Sequence, residues 1–500
     1  MFAPERLMTT RALLEQRAYG TGERTFLIFA EDGREWSYAA FDRAVNRAAA
    51  RLEQEGVGAG TTVSILLANC PEFLFAWFAT QKLGAIAGVV NTRLKLPELE
   101  YIVADAGAHV LVTSRAHQEI ATALQQRVPA LQRVVWSEQL LWPDDVPAPG
   151  HTPRIQDPAT IVYTSGTTGQ PKGVLLSHAN LFANGLAIAH DVELSERDRG
   201  LCILPLFHVN ATTVTVLAPL LAGASVVLTQ GFSASAFLGV LARHRATFFS
   251  CVPTVFSILL NRPASELDGL DLGSLRFALC GGAPLAVETL RAFEQRFAMT
   301  IIEGYGLTEG TCGAAVNRLH GKRKPGSIGL PVTGVEMAIV DACDRELPPF
   351  ARGEIVLRGP NVMLGYHRCE RETRAALRHG FLHTQDIGYV DDEGFFYIVD
   401  RQQELIIRGG ENIYPREIEE VLYAHGAVQD AAVVGIADPV WGEAVKAFLV
   451  LRPGSACSPD EILAHCRAHL ADYKLPASIE LLAEMPKNAT GKILKQALKR

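Results

Sequence analysis

The stretch YTSGTTGQPKGV, Tyr163 to Val174, concentrates three glycines, four serine and threonine hydroxyls and one lysine within twelve residues. Small residues that follow a strand leave backbone N–H groups open, and hydroxyls add further donors, so an anion such as a phosphate is the fitting ligand. Two familiar phosphate loops do not match. A Walker A loop needs lysine and a hydroxyl directly after its last glycine, whereas Gly169 is followed by Gln170 and Lys172 by Gly173. The spacing G-x-G-x-x-G of a dinucleotide loop fails as well. What remains is a strand, TIVYT, that enters a shaped anion loop from Thr164 to Lys172 through Ser165, Gly166, Thr167, Thr168 and Gly169.

Further chemistry-bearing stretches follow in chain order: GYGLTEG at 304–310, FLHTQDIG around Asp386, VDRQQELIIRGGEN around Arg401, and PKNATGKILKQAL around Lys492. Together with the glycine-rich loop they resemble the signature motifs of the adenylate-forming superfamily, which contains acyl-CoA synthetases, and the resemblance covers nearly the whole chain. It implies that Tyr305 stacks on adenine, Thr308 contacts phosphate, and Glu309 holds Mg²⁺, a cation that takes one or two carboxylates plus phosphate oxygens. The neighbours Gly281, Gly282, Ala283, Glu303, Gly304 and Gly306 belong to the same nucleotide wall. Asp386 and Arg401 become the ribose contacts, with Gln385 where relatives carry glycine. Lys492 becomes the lysine of adenylation, although by composition alone it sits in a basic chain end beside Lys495 and Lys499.

The resemblance also implies ATP, Mg²⁺ and coenzyme A as cofactors, with AMP and pyrophosphate as products. A small domain then swings about a hinge at Gln403, so that Gly409 and Gly410 line a pantetheine tunnel; residues without side chains suit that role. Trp441, Tyr473 and Lys474 are candidates for the CoA nucleotide and equally for ordinary packing. The acyl pocket is expected between LPLFHVNATT, SCVPT and the GYGLTEGTCG strand end, with His208, Val209, Asn210, Thr213, Gly282, Gly306 and Leu307 as its wall. His208 is also a candidate catalytic gate near the carboxylate. No acid near Phe207 and His208 could hold an α-amino group, and no arginine beside LTEGTCG could pair with a second carboxylate. Several segments resemble crotonobetaine/carnitine-CoA ligases, yet only Phe207 and Phe256 could begin an aromatic cage for a quaternary ammonium. An otherwise uncharged short- to medium-chain or cyclic monocarboxylate, a small carboxylic acid, is the expected substrate.

The elements that position these residues read as α/β. From about 35 to 145, helical patterns alternate with β-branched runs, the rhythm of β-α-β units and helix-covered sheets. Beyond Pro325 short strands separated by turns suggest a β-barrel-like subdomain at about 325–400, so 1–401 forms a large N-terminal domain of mixed β-sheets. Residues 402–500 form a small mobile α+β C-terminal domain.

Composition narrows the classes. A chain of 500 residues with 48% hydrophobic and 20% charged residues is an ordinary globular protein. A net charge of −7 gives no nucleic-acid footprint. FLFAWFATQKLGAIAGVV is broken by Gln81 and Lys82 and reads as a buried helix, so no stable membrane insertion is expected. Nine scattered cysteines suit a reducing, cytoplasmic setting. A homodimer is left open. The rivals are an acyl-AMP ligase that loads a carrier protein, an enzyme specialised for one half reaction, and a nucleotide-binding regulator.

Overall fold

The computed structural model describes residues 7–164, 170–401, 404–408, 411–488 and 491–499. Two helix-covered sheets carry most of the chain up to residue 331. One has nine strands, and its six parallel strands run in the spatial order Thr300–Tyr305, Phe277–Cys280, Phe248–Cys251, Arg199–Cys202, Ser225–Leu228 and Thr25–Phe29. The other has seven strands, and Pro158–Thr164 joins its parallel part to the antiparallel pair Lys172–Ser177 and Gly365–Tyr366. Strands such as Thr62–Leu66 are buried along their whole length, as expected where helices cover both faces of a parallel sheet.

Between these sheets lies the helix Pro71–Lys82, which starts with proline at its first turn and buries every residue but Glu72. The buried-helix reading of FLFAWFATQKLGAIAGVV holds up to Lys82, but Ile86–Val89 at its end forms a strand of the seven-stranded sheet. Lys82 is fully enclosed, and its ammonium lies 2.6 Å from Asp42 and 2.8 Å from Asn46 Oδ1, so the charge is paired as burial demands. Among the described residues no helix is long and apolar enough to cross a membrane.

An antiparallel sheet follows, built on Glu336–Val340, Gly353–Arg358, Phe381–Val390 and Phe396–Arg401. The last unit pairs the long strands Val428–Asp438 and Gly442–Leu451, adds Ser478–Leu481 in parallel, and packs Pro415–Tyr423 and Pro459–His469 against them. Its buried clusters contain no residue before Ile406, and the clusters of the sheets before it contain none after Phe396. Two hydrophobic cores therefore stand side by side. Among the contacts that join them, Thr254 Oγ1 donates to the Gly491 carbonyl at 2.8 Å, the Arg416 guanidinium donates to the Ile398 carbonyl at 2.6 Å, and Arg352 lies over the Tyr414 ring.

Candidate active site

Two adjoining cavities open at the ends of the parallel strands, the usual ligand position in such sheets. The first, about 200 Å³, is lined by Gly282, Ala283, Glu303, Gly304, Tyr305, Gly306 and Asp386 from the large part, and by Glu404, Gly491, Lys492 and Lys495 from the last hundred residues. The second, about 210 Å³, is lined by His208, Val209, Asn210, Gly281, Leu307 and Thr308 together with Ile188, Val192, Val214, Val316 and Val332. They share Val252, Cys280, Gly282, Gly304, Tyr305 and Gly306. Gly306 has no alternative here, because a Cβ would lie 1.4 Å from the Cys312 carbonyl oxygen.

Local folding explains how the polar groups reach the first cavity. Tyr305 ends the strand Thr300–Tyr305, and its hydroxyl donates to Asp386 at 2.6 Å. Asp386 is held within Phe381–Val390, where its backbone faces Arg401 across the ladder and its N–H reaches Thr384 Oγ1. Gln385 just before it adopts φ +62°, and its N–H donates to Glu354 at 2.9 Å. The backbone shape that glycine would supply is thus kept, at a cost typical of a left-handed side-chain-bearing residue. Glu303 accepts the Gly326 N–H at 3.1 Å, and burial pushes its carboxyl up to about 7. Lys492 arrives on a tight loop in which its N–H donates to Asn488 Oδ1 and its carbonyl accepts from Asn488 N–H. Gly491 enables that loop with φ +86°.

The metal and phosphate candidates meet on one side. Thr164 pairs with Lys172 across the loop that joins their strands. The Lys172 ammonium stands 5.1 Å from the Tyr366 ring centroid, and the Tyr366 hydroxyl donates to Glu309 Oε1 at 2.9 Å. Burial and the Glu309 charge raise the Tyr366 phenol, so it stays a donor. Sequence reasoning missed Tyr366. It sits on a two-residue strand about two hundred residues from the loop it supports, with no motif of its own.

In the second cavity, His208 rests against Phe207, and its buried Nε2 has no partner among the described residues. Burial pushes its imidazole down to about 4, so it is neutral. Thr213 does not line the cavity: it is fully buried at the start of a π-helical turn, Thr213–Leu217, and the wall there is Val214. Phe207 and Phe256 are also outside the lining, with Phe256 packed on Phe249 and Phe293. Among the described lining residues none is Asp, Glu, Lys or Arg.

Other candidates lie elsewhere. Trp441 and Tyr473 line neither cavity; both are exposed, with Arg408 lying 6.0 Å from the Trp441 ring and donating to the Tyr473 carbonyl. Ser165, Gly166, Thr167, Thr168, Gly169, Gln403, Gly409, Gly410 and the side chain of Arg401 fall outside the described residues.

The chain resembles known proteins over nearly its whole length. Residues 14–367 match the AMP-binding enzyme family model, and 417–492 match the AMP-binding enzyme C-terminal domain. A feruloyl-CoA synthase of Amycolatopsis sp is 38% identical over 93% of both chains. A crotonobetaine/carnitine-CoA ligase of Citrobacter koseri is 36% identical over 98% of both. Among solved structures, an anthranilate CoA ligase in complex with anthranoyl-AMP superposes with a TM-score of 0.93 at 30% identity, over 99% of this chain and 98% of that one.

Proposed function

This chain belongs to the AMP-binding enzymes, and from that premise we propose which residues carry each step of its reaction. It is an AMP-forming acid–thiol ligase: a carboxylic acid and ATP give acyl-AMP and pyrophosphate, and the thiol of CoA then takes the acyl group. In the first step a carboxylate oxygen bonds to the α-phosphorus while the bond to the β-phosphate bridging oxygen breaks. The protein must align two anions and offset their charge.

Lys492 faces the α-phosphate in this reading, with Thr308 and Lys172 donating to the phosphates and Asp386 and Arg401 holding the ribose. Glu309 fits Mg²⁺, since Tyr366 orients its carboxylate and leaves oxygen for a hard cation. Magnesium, when bound, neutralises charge on the phosphate oxygens. Neutral His208 attends the reacting carboxylate from the second cavity. For the second step the small domain turns about Gln403, withdrawing Lys492 and presenting Gly409 and Gly410 to pantetheine; Trp441 and Tyr473 await the CoA nucleotide. The sulfur–carbon bond forms and AMP leaves.

The single observation behind this assignment is that Lys492, Asp386, Tyr305 and Glu303 line one cavity that opens into an uncharged one. An uncharged wall favours a neutral monocarboxylate, since a buried charge without a partner is costly. The absence of a cage at Phe207 and Phe256 counts against a quaternary ammonium. A cytoplasmic setting belongs to the same reading, and nine unbridged cysteines suit it. The test is pyrophosphate release and CoA-thioester formation over a panel of acids with wild type and Lys492→Ala. A neutral acid should give both products and the variant should lose the first by about a hundredfold or more; thioester formation from acid and ATP at wild-type rate in the variant would sink the assignment.

A further inference from the structure

We infer that the acid bears a neutral oxygen substituent, a hydroxyl, methoxyl or keto oxygen on its ring or chain, which accepts a hydrogen bond from Asn210 inside the second cavity. This rests on the neutral-acid reading above. The wall is largely aliphatic, and of its polar side chains His208 is assigned above to the carboxylate and Thr308 to phosphate, while Tyr305 engages Asp386. Asn210 and Ser250 are left.

Ser250 lies on Phe248–Cys251, in register with Leu279 of the next strand, and its hydroxyl donates to Asn210 Oδ1 at 2.9 Å. That bond occupies one lone pair of the amide oxygen and fixes the plane of the carboxamide. Nδ2 has no protein partner among the described residues, and it points past Gly281, where a Cβ would stand 3.8 Å from it. Gly281 is itself part of the wall, so the missing side chain keeps the approach to Nδ2 open. An amide donor that faces an apolar cavity is paired in the bound state only if the ligand brings an acceptor. A ligand without one must strip water from Nδ2 and give nothing back. Charge plays no part, so the acceptor is a neutral oxygen. Its reach is bounded by Ile188, Val192 and Val332, which close the wall with aliphatic side chains.

Matched acids separate polarity from size: hydroxybenzoates against methylbenzoates, and hydroxycinnamates against methylcinnamates, compared by kcat/KM for acid-dependent pyrophosphate release. Wild type should favour the hydroxyl member of at least one pair by about tenfold or more. Asn210→Leu, of similar volume, should bring that ratio to one or below. Ser250→Ala, which frees the carboxamide to turn, should lower it part of the way and stands in if Asn210→Leu does not fold. The inference is overturned if methyl members equal or exceed their partners in every pair with wild type, or if Asn210→Leu keeps the ratio. Activity on neutral acids without preference for oxygen refutes it alone; no pyrophosphate from any neutral acid removes the neutral-acid reading and this inference with it.

Discussion

Thr254→Val tests whether acyl-AMP formation needs the last domain where the structure has it. The Thr254 hydroxyl donates to the carbonyl of Gly491, the residue before Lys492, at 2.8 Å. Valine keeps the shape, deletes the donor and sets a methyl group against that carbonyl. Losing the bond and stranding its acceptor costs about 1–2 kcal/mol. At about 1.4 kcal/mol per tenfold in rate, acyl-AMP formation should fall about 5–30-fold. Transfer from a supplied acyl adenylate to CoA does not need Lys492 at the nucleotide and should stay within about twofold. Pyrophosphate exchange into ATP reads the first step, and thioester made from synthetic acyl adenylate reads the second. Gly491→Ala should give the same selective loss by a separate route, since φ is +86° there and a Cβ would stand 3.2 Å from Val252 Cγ2. Equal losses in both half reactions, or none in the first, would refute the reasoning.

Tyr366→Phe removes the donor to Glu309, so the Mg²⁺ concentration for half-maximal activity should rise several-fold while KM for the acid holds; a magnesium titration checks it. His178 is buried and neutral, with its pKa pushed down to about 4 by burial. The unfolded chain protonates it near 6.5, so its contribution is intact above that pH and is lost as pH falls from 6.5 toward 4, by roughly 3 kcal/mol at most. Melting curves should lose stability over that window in wild type and less steeply in His178→Gln; identical slopes would count against it. Gln385→Gly relieves a left-handed backbone that Gln tolerates at some cost, and unfolding midpoints should show no loss, with a gain of up to about 1 kcal/mol.

The chemistry-bearing residues were named through their resemblance to superfamily motifs, since each short stretch taken alone reads as a turn or a basic chain end; the structure brings Tyr305, Asp386 and Lys492 to one cavity. Tyr305, Thr308 and Glu309 fall within five residues, and their neighbours Gly304 and Gly306 mark the close packing around them. The acyl wall was legible only in part. Ile188, Val192, Val316 and Val332 look like any core residue in the sequence, and it takes the docking of two elements more than a hundred residues apart to turn them into a pocket. Thr213 was misplaced for a different reason. Its place on the wall was implied by family resemblance, whereas in the structure it is fully buried at the start of the π-helical turn Thr213–Leu217 and Val214 faces the cavity instead. Tyr366 carried no local signal at all, because its role depends on a strand pairing with Val174 that only the folded sheet creates.

The two hydrophobic cores end on either side of a seam crossed by hydrogen bonds, and this has a thermodynamic consequence. Unpacking apolar surface raises heat capacity by about 0.45 cal/mol/K per Å² exposed, yet Thr254 to Gly491 and Arg416 to Ile398 are hydrogen bonds to carbonyls that water can replace. In the proposed rotation of the last domain these bonds exchange for bonds to water, and the polar groups so exposed lower the heat capacity against the rise from Val252, Ile398 and Ile493, which line the cavity between the two cores. Calorimetry of that proposed switch reads the balance of the two contributions, and the bound ligand favours whichever orientation gives it the better contacts.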